Sequence, residues 1–310
     1  MKREPTPGST AFAPRVASPR YRLDRDLILP PETQVQLEEC LASLRHHHTI
    51  YLEWDFASVD PVGRATVLNF HGQPGTGKTL AAEALAGTLG LGYLALGIAE
   101  VESKFLGETA HNIAIAFETA ERESALLLFD EADTLLGKRL SVVTQGVDNE
   151  VNAMRTTLML KLQEHAGVVV FATNLPKSYD AAFRSRIGYH VHFALPGASE
   201  RKRLWNRMLV PRIPLADTRD SLVDAATAAS EGLSGRDIRT CMRLALPKAL
   251  LAVEGDATRA RLTVEHIEGA IAAVRNAQQQ VGSSASGAFD LEAARRAFKD
   301  AVPQPTQGEE

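Results

Sequence analysis

Val67-Leu68-Asn69-Phe70-His71-Gly72-Gln73-Pro74-Gly75-Thr76-Gly77-Lys78-Thr79 is the stretch on which the reading of this chain turns. An apolar run passes into a glycine-rich turn that matches G-x-x-x-x-G-K-[ST] in full, and Lys78 to Leu89 then reads as a helix. Glycines let such a turn wrap an anion with its backbone N–H groups pointing inward, and the following helix N-terminus adds a positive partial charge. Gly72, Gln73, Pro74, Gly75, Thr76, Gly77, Lys78 and Thr79 are therefore expected to cradle the phosphates of a nucleotide. Lys78 would reach the outer phosphates, and the Thr79 hydroxyl would ligate Mg²⁺. A glycine-rich turn with no ligand is the plainer alternative. The strand before it and the helix after it speak against that.

The same alternation continues outward. Tyr93–Leu96, Ala125–Phe129, Val168–Ala172 and Tyr189–Phe193 are further short apolar runs, most nearly continuous, as strands buried on both faces should be. Amphipathic stretches between them fit a βαβ series, so an α/β fold with a five-stranded parallel sheet is expected. The third run ends in Asp130-Glu131-Ala132-Asp133. Acids at the C-terminal end of a parallel strand lie on the ligand-binding edge. There Asp130 would hold Mg²⁺ through water and Glu131 would polarise an attacking water.

Upstream, Pro31 to Arg45 reads as a helix, and residues 1–20, with Pro5, Pro7, Pro14 and Pro19, as a flexible tail. After Pro196-Gly197 the strand-like runs stop, and Ala198–Leu209, Ser221–Ala229, Ser234–Leu251 and Thr263–Gln279 all look helical. The expected organisation is a tail (1–20), a large αβα domain (21–197), a small all-helical lid (198–281), a Gly/Ser linker (282–290), and a short helix with a polar tail (291–310).

The chain has 310 residues, 45% hydrophobic and 23% charged, with a net charge of −4, so it lacks the basic surplus of a dedicated nucleic-acid binder. Cys40 and Cys241 carry no metal-ligand spacing and make no disulfide framework. No apolar stretch approaches the length of a membrane span, and Met1-Lys2-Arg3-Glu4-Pro5 opens no secretory signal, so a cytoplasmic location is expected.

Together with the segments downstream of them, these motifs resemble the AAA+ ATPases, in particular their protein-remodelling clade, over about residues 25–280. The resemblance implies Mg·ATP hydrolysis, a five-stranded P-loop αβα core, a helical lid, and a homo-oligomeric ring, a hexamer, with ATP at the subunit interfaces. Val168–Asn174 looks like the sensor-1 strand, which makes Asn174 the residue that orients the water beside Glu131. Ala182-Phe183-Arg184-Ser185-Arg186-Ile187 is similar to the arginine-finger segment, with Arg186 the principal finger on a neighbour's ATP and Arg184 assisting. Glu231-Gly232-Leu233-Ser234-Gly235-Arg236 resembles sensor 2, with Arg236 contacting ATP. Lys104, Phe105, Leu106 and Gly107 resemble the first pore loop, Phe105 gripping an extended client polypeptide.

A protein client is thus the implied partner, and nucleic acid and membrane are not expected. The rival is a DNA-acting AAA+ machine such as a helicase loader, against which the acidic balance counts. Gly232-Leu233-Ser234-Gly235-Arg236 is further similar to the pachytene-checkpoint ATPases that disassemble HORMA-domain complexes, whose bacterial relatives accompany antiphage systems. His46-His47-His48 and Arg201-Lys202-Arg203 read as a solvated loop and a solvated helix face.

Overall fold

The computed structural model describes residues 12–60, 66–101, 108–133, 146–174 and 181–286. Each expected apolar run is a strand. They are β1 (Thr66–Gly72), β2 (Gly92–Gly97), β3 (Ala125–Asp130), β4 (Val168–Thr173) and β5 (Tyr189–Phe193), in one parallel sheet ordered β2-β3-β4-β1-β5.

The helices of this region are α1 (Leu23–Asp26), α2 (Pro31–Arg45), α3 (Lys78–Leu89), α4 (Ile98–Val101), α5 (Glu108–Arg122), α6 (Gly146–Glu164) and α7 (Ala181–Arg184). Alternate residues of each strand feed opposite faces, which is why the runs lack a polar alternation. Val67, Leu127, Phe129, Val169 and Phe171 pack with Ile113 and Phe117 of α5 and Leu158 of α6. Leu68, Phe70, Leu128, Val170 and Val191 pack with Leu37 and Cys40 of α2 and Leu85 of α3. Full burial of each large side chain contributes about 1.5–3 kcal/mol, so this three-layer core fixes the strand ends that carry the site.

The outer edges of the sheet are covered. Residues 12–20, expected to be a flexible tail, instead lie along β2, Ala17 and Tyr93 exchanging backbone hydrogen bonds of 2.8 and 2.9 Å. Phe12 and Val16 pack on one core and Leu23 and Leu27 on the other. The segment therefore crosses the sheet edge and finds apolar partners far away in sequence, which a local reading of its prolines misses. At the opposite edge, the Thr33 hydroxyl of α2 donates to the His192 carbonyl at 2.7 Å, and the His192 N–H donates to Gln36 at 3.0 Å.

The chain divides into two compact units. The first runs to Val210 and includes Ser230–Arg239; the second is Pro211–Ala229 with Thr240 onward. Helix α8 (Ala198–Met208), read from sequence as part of the lid, thus belongs with the sheet. Its side chains explain why. Arg201 donates to the Pro196 carbonyl at 3.1 Å, and Arg207 donates to the carbonyls of Arg25 and Asp26.

The second unit contains α9 (Arg219–Ala229), most of α10 (Gly235–Leu251) and α11 (Val264–Ser286). Arg275 on α11 donates to the Ala229 carbonyl at 2.9 Å. Helix α11 continues to Ser286, beyond the expected end at Gln279 and into the stretch read as linker. Extending an existing helix adds one hydrogen bond per residue fixed, so a single glycine does not stop it.

Candidate functional site

The register pairs His71 with Thr173 and Phe129 with Phe171, so Gly72, Asn174 and the Asp130-Glu131 pair leave the sheet side by side at its C-terminal edge. Gly75 and Gly77 hold φ of +80° and +103°, in the left-handed region. At Gly75 a Cβ would also stand 2.5 Å from Ser234 Oγ and 2.8 Å from Arg236 Cβ, so the loop needs glycine there on both counts.

Lys78 is buried, at 8% exposure. Its Nζ donates to the carbonyls of Gly72 and Gln73 and to Asn174 Oδ1, each at 2.9 Å. Burial lowers its pKa, partly opposed by the charges of Asp130 and Asp133. Beside it the Thr79 hydroxyl donates to Asp130 Oδ2 at 2.8 Å. This pair of hard oxygen donors at a phosphate loop is what Mg²⁺ takes, two or three protein oxygens being enough for an ion that keeps water and phosphate ligands.

The Glu131 N–H donates to Asp130 Oδ1 at 3.0 Å. Glu131 itself is exposed and has φ +55°, a backbone state that non-glycine residues enter at a cost and that clusters at functional sites. Asn174 is oriented from behind, because Asp133 accepts from its N–H at 3.1 and 3.4 Å. Sequence alone assigns Asp133 no task, its one signal being a third acid in the same run.

Arg236 reaches the loop through its backbone, its N–H donating to the Gly75 carbonyl at 3.2 Å. The start of α10 is fixed by a reciprocal cap. Ser234 Oγ accepts from the Asp237 N–H at 3.2 Å, and Asp237 Oδ2 accepts from the Ser234 N–H at 2.9 Å.

The structure does not bring Arg184 and Arg186 to this cluster. Both precede β5, whose register pairs Tyr189 with Leu68 and Phe193 with Gly72, so they sit at the N-terminal edge of the sheet. Four residues of β1, roughly 13 Å of extended chain, separate the edges there. Arg184 is exposed and adds to the burial that lowers the His190 pKa. Arg186 donates from Nη1 to the Ala182 carbonyl at 3.0 Å, and its Nε is buried without a partner. With Tyr51, Asp60 and Tyr189 it lines a cavity of about 630 Å³. Lys104, Phe105, Leu106 and Gly107 lie outside the described residues.

The AAA family model, "ATPase family associated with various cellular activities", matches residues 68–195, which span the sheet and this cluster. A putative 26S proteasome regulatory subunit homolog of Methanothermobacter marburgensis is 34% identical over 205 residues, covering 65% of this chain and 53% of that protein. An uncharacterized AAA family ATPase of Sinorhizobium fredii is 36% identical over 177 residues, 56% of this chain and 51% of that one. The chain thus spans about half the length of these relatives. Among solved structures, the FIGL-1 AAA domain superposes with a TM-score of 0.65 at 19% identity, covering 89% of this chain and 91% of the other. Residues 68–195 are an AAA ATPase domain.

Proposed function

We propose that this chain is an Mg·ATP hydrolase that acts as a homo-oligomeric ring and remodels a protein client. The observation that carries the catalytic half is the juxtaposition of Lys78 with Asn174 and of Thr79 with Asp130, at 2.9 and 2.8 Å, on two strand ends and a helix start. Lys78 and the loop N–H groups bind the β- and γ-phosphates, and Thr79 and Asp130 would hold Mg²⁺, which when bound would supply positive charge beside the transferring phosphoryl group. Glu131 accepts a proton from the attacking water, and Asn174 fixes its direction of approach. Lys78 exchanges its present acceptors for phosphate oxygens, so the same ammonium links nucleotide binding to the position of Asn174.

Support for the ring comes from the two arginines. Arg184 and Arg186 stand at the edge of the sheet away from their own Gly72, a position that suits a role at the site of a neighbouring copy. An arginine supplied in trans stabilises charge developing in phosphoryl transfer. Support for a protein client comes from the relative described as a proteasome regulatory subunit homolog and from the pore-loop resemblance of Lys104–Gly107. Within that class the Gly232–Arg236 resemblance nominates a HORMA-domain protein as client and an antiphage setting, in the cytoplasm. Among the described residues no helix is long and apolar enough to cross a membrane.

The test is Glu131→Gln. It should bind ATP as wild type does and hydrolyse it at least about 10²-fold more slowly, the scale of losing general-base assistance. Incubated with ATP it should also retain a bound client. Turnover close to wild type would remove Glu131, and the catalytic scheme with it.

A further inference from the structure

The segment that wraps the edge of β2 makes contacts that converge on one residue of the nucleotide cluster. Arg20 donates from its backbone N–H and from Nε to Glu83 Oε1, each at 3.0 Å, and from Nη2 to Oε2 at 3.3 Å. Glu83 is buried on α3, at 8% exposure, and Arg20 is the partner that makes a carboxylate tolerable there. Glu83 lies one helical turn beyond Thr79, on the same face.

A second route runs through Tyr93. Its N–H and carbonyl are both bonded to Ala17, and its hydroxyl lies 3.5 Å from the Thr79 carbonyl. Burial raises the Tyr93 pKa, so that hydroxyl keeps its proton as a donor.

Helix α3 is shaped to receive the segment. A Cβ at Gly87 would stand 2.2 Å from the Tyr21 carbonyl oxygen. Arg22 Nη1 donates to the Gly87 carbonyl at 3.2 Å, and the Leu23 N–H donates to Thr88 Oγ1 at 2.9 Å. Gly87, in the last turn of α3, gives up helix propensity, and a buried glutamate is costly without a partner; the same segment accounts for each.

We propose that residues 12–26 are a positioning strap, which through Arg20–Glu83 and Ala17–Tyr93 sets Thr79 in place for the metal-bound nucleotide. The inference rests on the nucleotide reading of the cluster. Arg20 and Tyr93 are positioning residues, acting on the Mg²⁺ site through Thr79 without touching nucleotide. The strap lies outside residues 68–195, which the AAA family model matches.

The test uses the full chain as wild type, Arg20→Ala, Arg20→Lys, Gly87→Ala and Arg15→Ala, well below each melting temperature. Hydrogen exchange at the Tyr93 amide reports whether the strap is docked, and a fluorescent ADP reports affinity with Mg²⁺ and with a chelator. Arg20→Ala and Gly87→Ala, changes on two different elements, should both speed Tyr93 exchange and weaken Mg²⁺-dependent binding by about 10–100-fold, the cost of losing support behind a metal ligand. With chelator their affinities should stay within about threefold of wild type, because the support acts on the metal ligand. Arg20→Lys should fall between, and carries the test if an alanine variant does not fold. Arg15, exposed on the same strap, should behave as wild type when replaced.

A released strap with unchanged affinity, or an equal loss with and without Mg²⁺, overturns the proposal. Wild-type protein that binds no Mg²⁺-nucleotide overturns the nucleotide reading and the strap's role together, and that failure is visible before any variant is made.

Discussion

The two ends of one sheet are built on opposite plans. At the C-terminal edge polar groups are paired within the chain: Lys78 with two carbonyls and Asn174, Thr79 with Asp130, Asn174 with Asp133, Ser234 with Asp237. At the N-terminal edge Arg186 Nε and both ring nitrogens of His165 are buried without partners, beside cavities of about 630 and 440 Å³. Leu52, Trp54 and Val59, in the chain between the cavity-lining Tyr51 and Asp60, stand exposed at 64%, 73% and 76%. An unmade hydrogen bond in a buried place costs about 1–3 kcal/mol. The groups of the phosphate loop are thus paired among themselves, although His71 Nδ1 is buried without a partner at that edge too, while Arg186 and His165 are left short at the other.

The largest expected effect tests the arginine edge. Arg186→Ala should leave nucleotide affinity near wild type and lower turnover about 10³-fold, the lower end for an arginine acting in trans. Mixing it with Lys78→Ala should restore part of the activity, since one kind of mixed interface holds both intact halves. If hetero-oligomers form and no ratio restores turnover, the two edges do not meet in one site.

A smaller effect sharpens the account of the paired edge. Asp133→Ala frees the Asn174 N–H and should lower turnover about 10–100-fold with little change in nucleotide affinity. Asp133→Asn keeps an acceptor oxygen and should recover most of the loss. Equal defects in the two variants would mean that the charge of Asp133, rather than its hydrogen bond, is what matters.

The smallest effect reads the unpaired edge through pH. Burial lowers the His165 pKa below 6.5, only partly opposed by Glu121, so the folded chain holds it neutral. Unfolded chain takes up the proton near 6.5. Its contribution is therefore intact above that pH and lost as pH falls toward the folded value, by at most about 1.4 kcal/mol per pH unit. His71, at the other edge, is shifted in the same direction by burial and by His192, His190 and Lys78. His165→Phe, which preserves the edge-to-face contact with Phe117, should flatten but not abolish the fall in melting temperature between about pH 6.5 and 5. Identical slopes for variant and wild type would show that His165 is not held neutral.

The difference between the edges also explains what could be read from sequence. Strands buried on both faces are apolar runs, and the phosphate loop needs glycine and lysine at fixed spacing, so β1 to β5 and Gly72–Thr79 are legible one segment at a time. Pairing across the fold is not. Arg20 and Glu83 are 63 residues apart, and neither position announces the other, so a proline-bearing segment reads as a loose tail. Asp133 and Asn174 are likewise 41 residues apart. The placement of α8 with the sheet rests on side-chain bonds to distant carbonyls, which helical periodicity does not encode.

The covering of the sheet's outer strands bears on how this protein would aggregate. An open strand edge is a template for another chain, and proteins blunt it. Edge strand β5 is guarded by Thr33 and Gln36 on a fifteen-residue helix packed into the core, and β2 by an extended segment bridged to it at Ala17 and Tyr93. Segments with few buried contacts open at far lower free energy than core helices. Partial unfolding therefore uncovers β2 while β5 stays closed, so heated or crowded protein would associate through β2 first, and a ligand that tightens the strap would keep the chain soluble without raising the stability of its core.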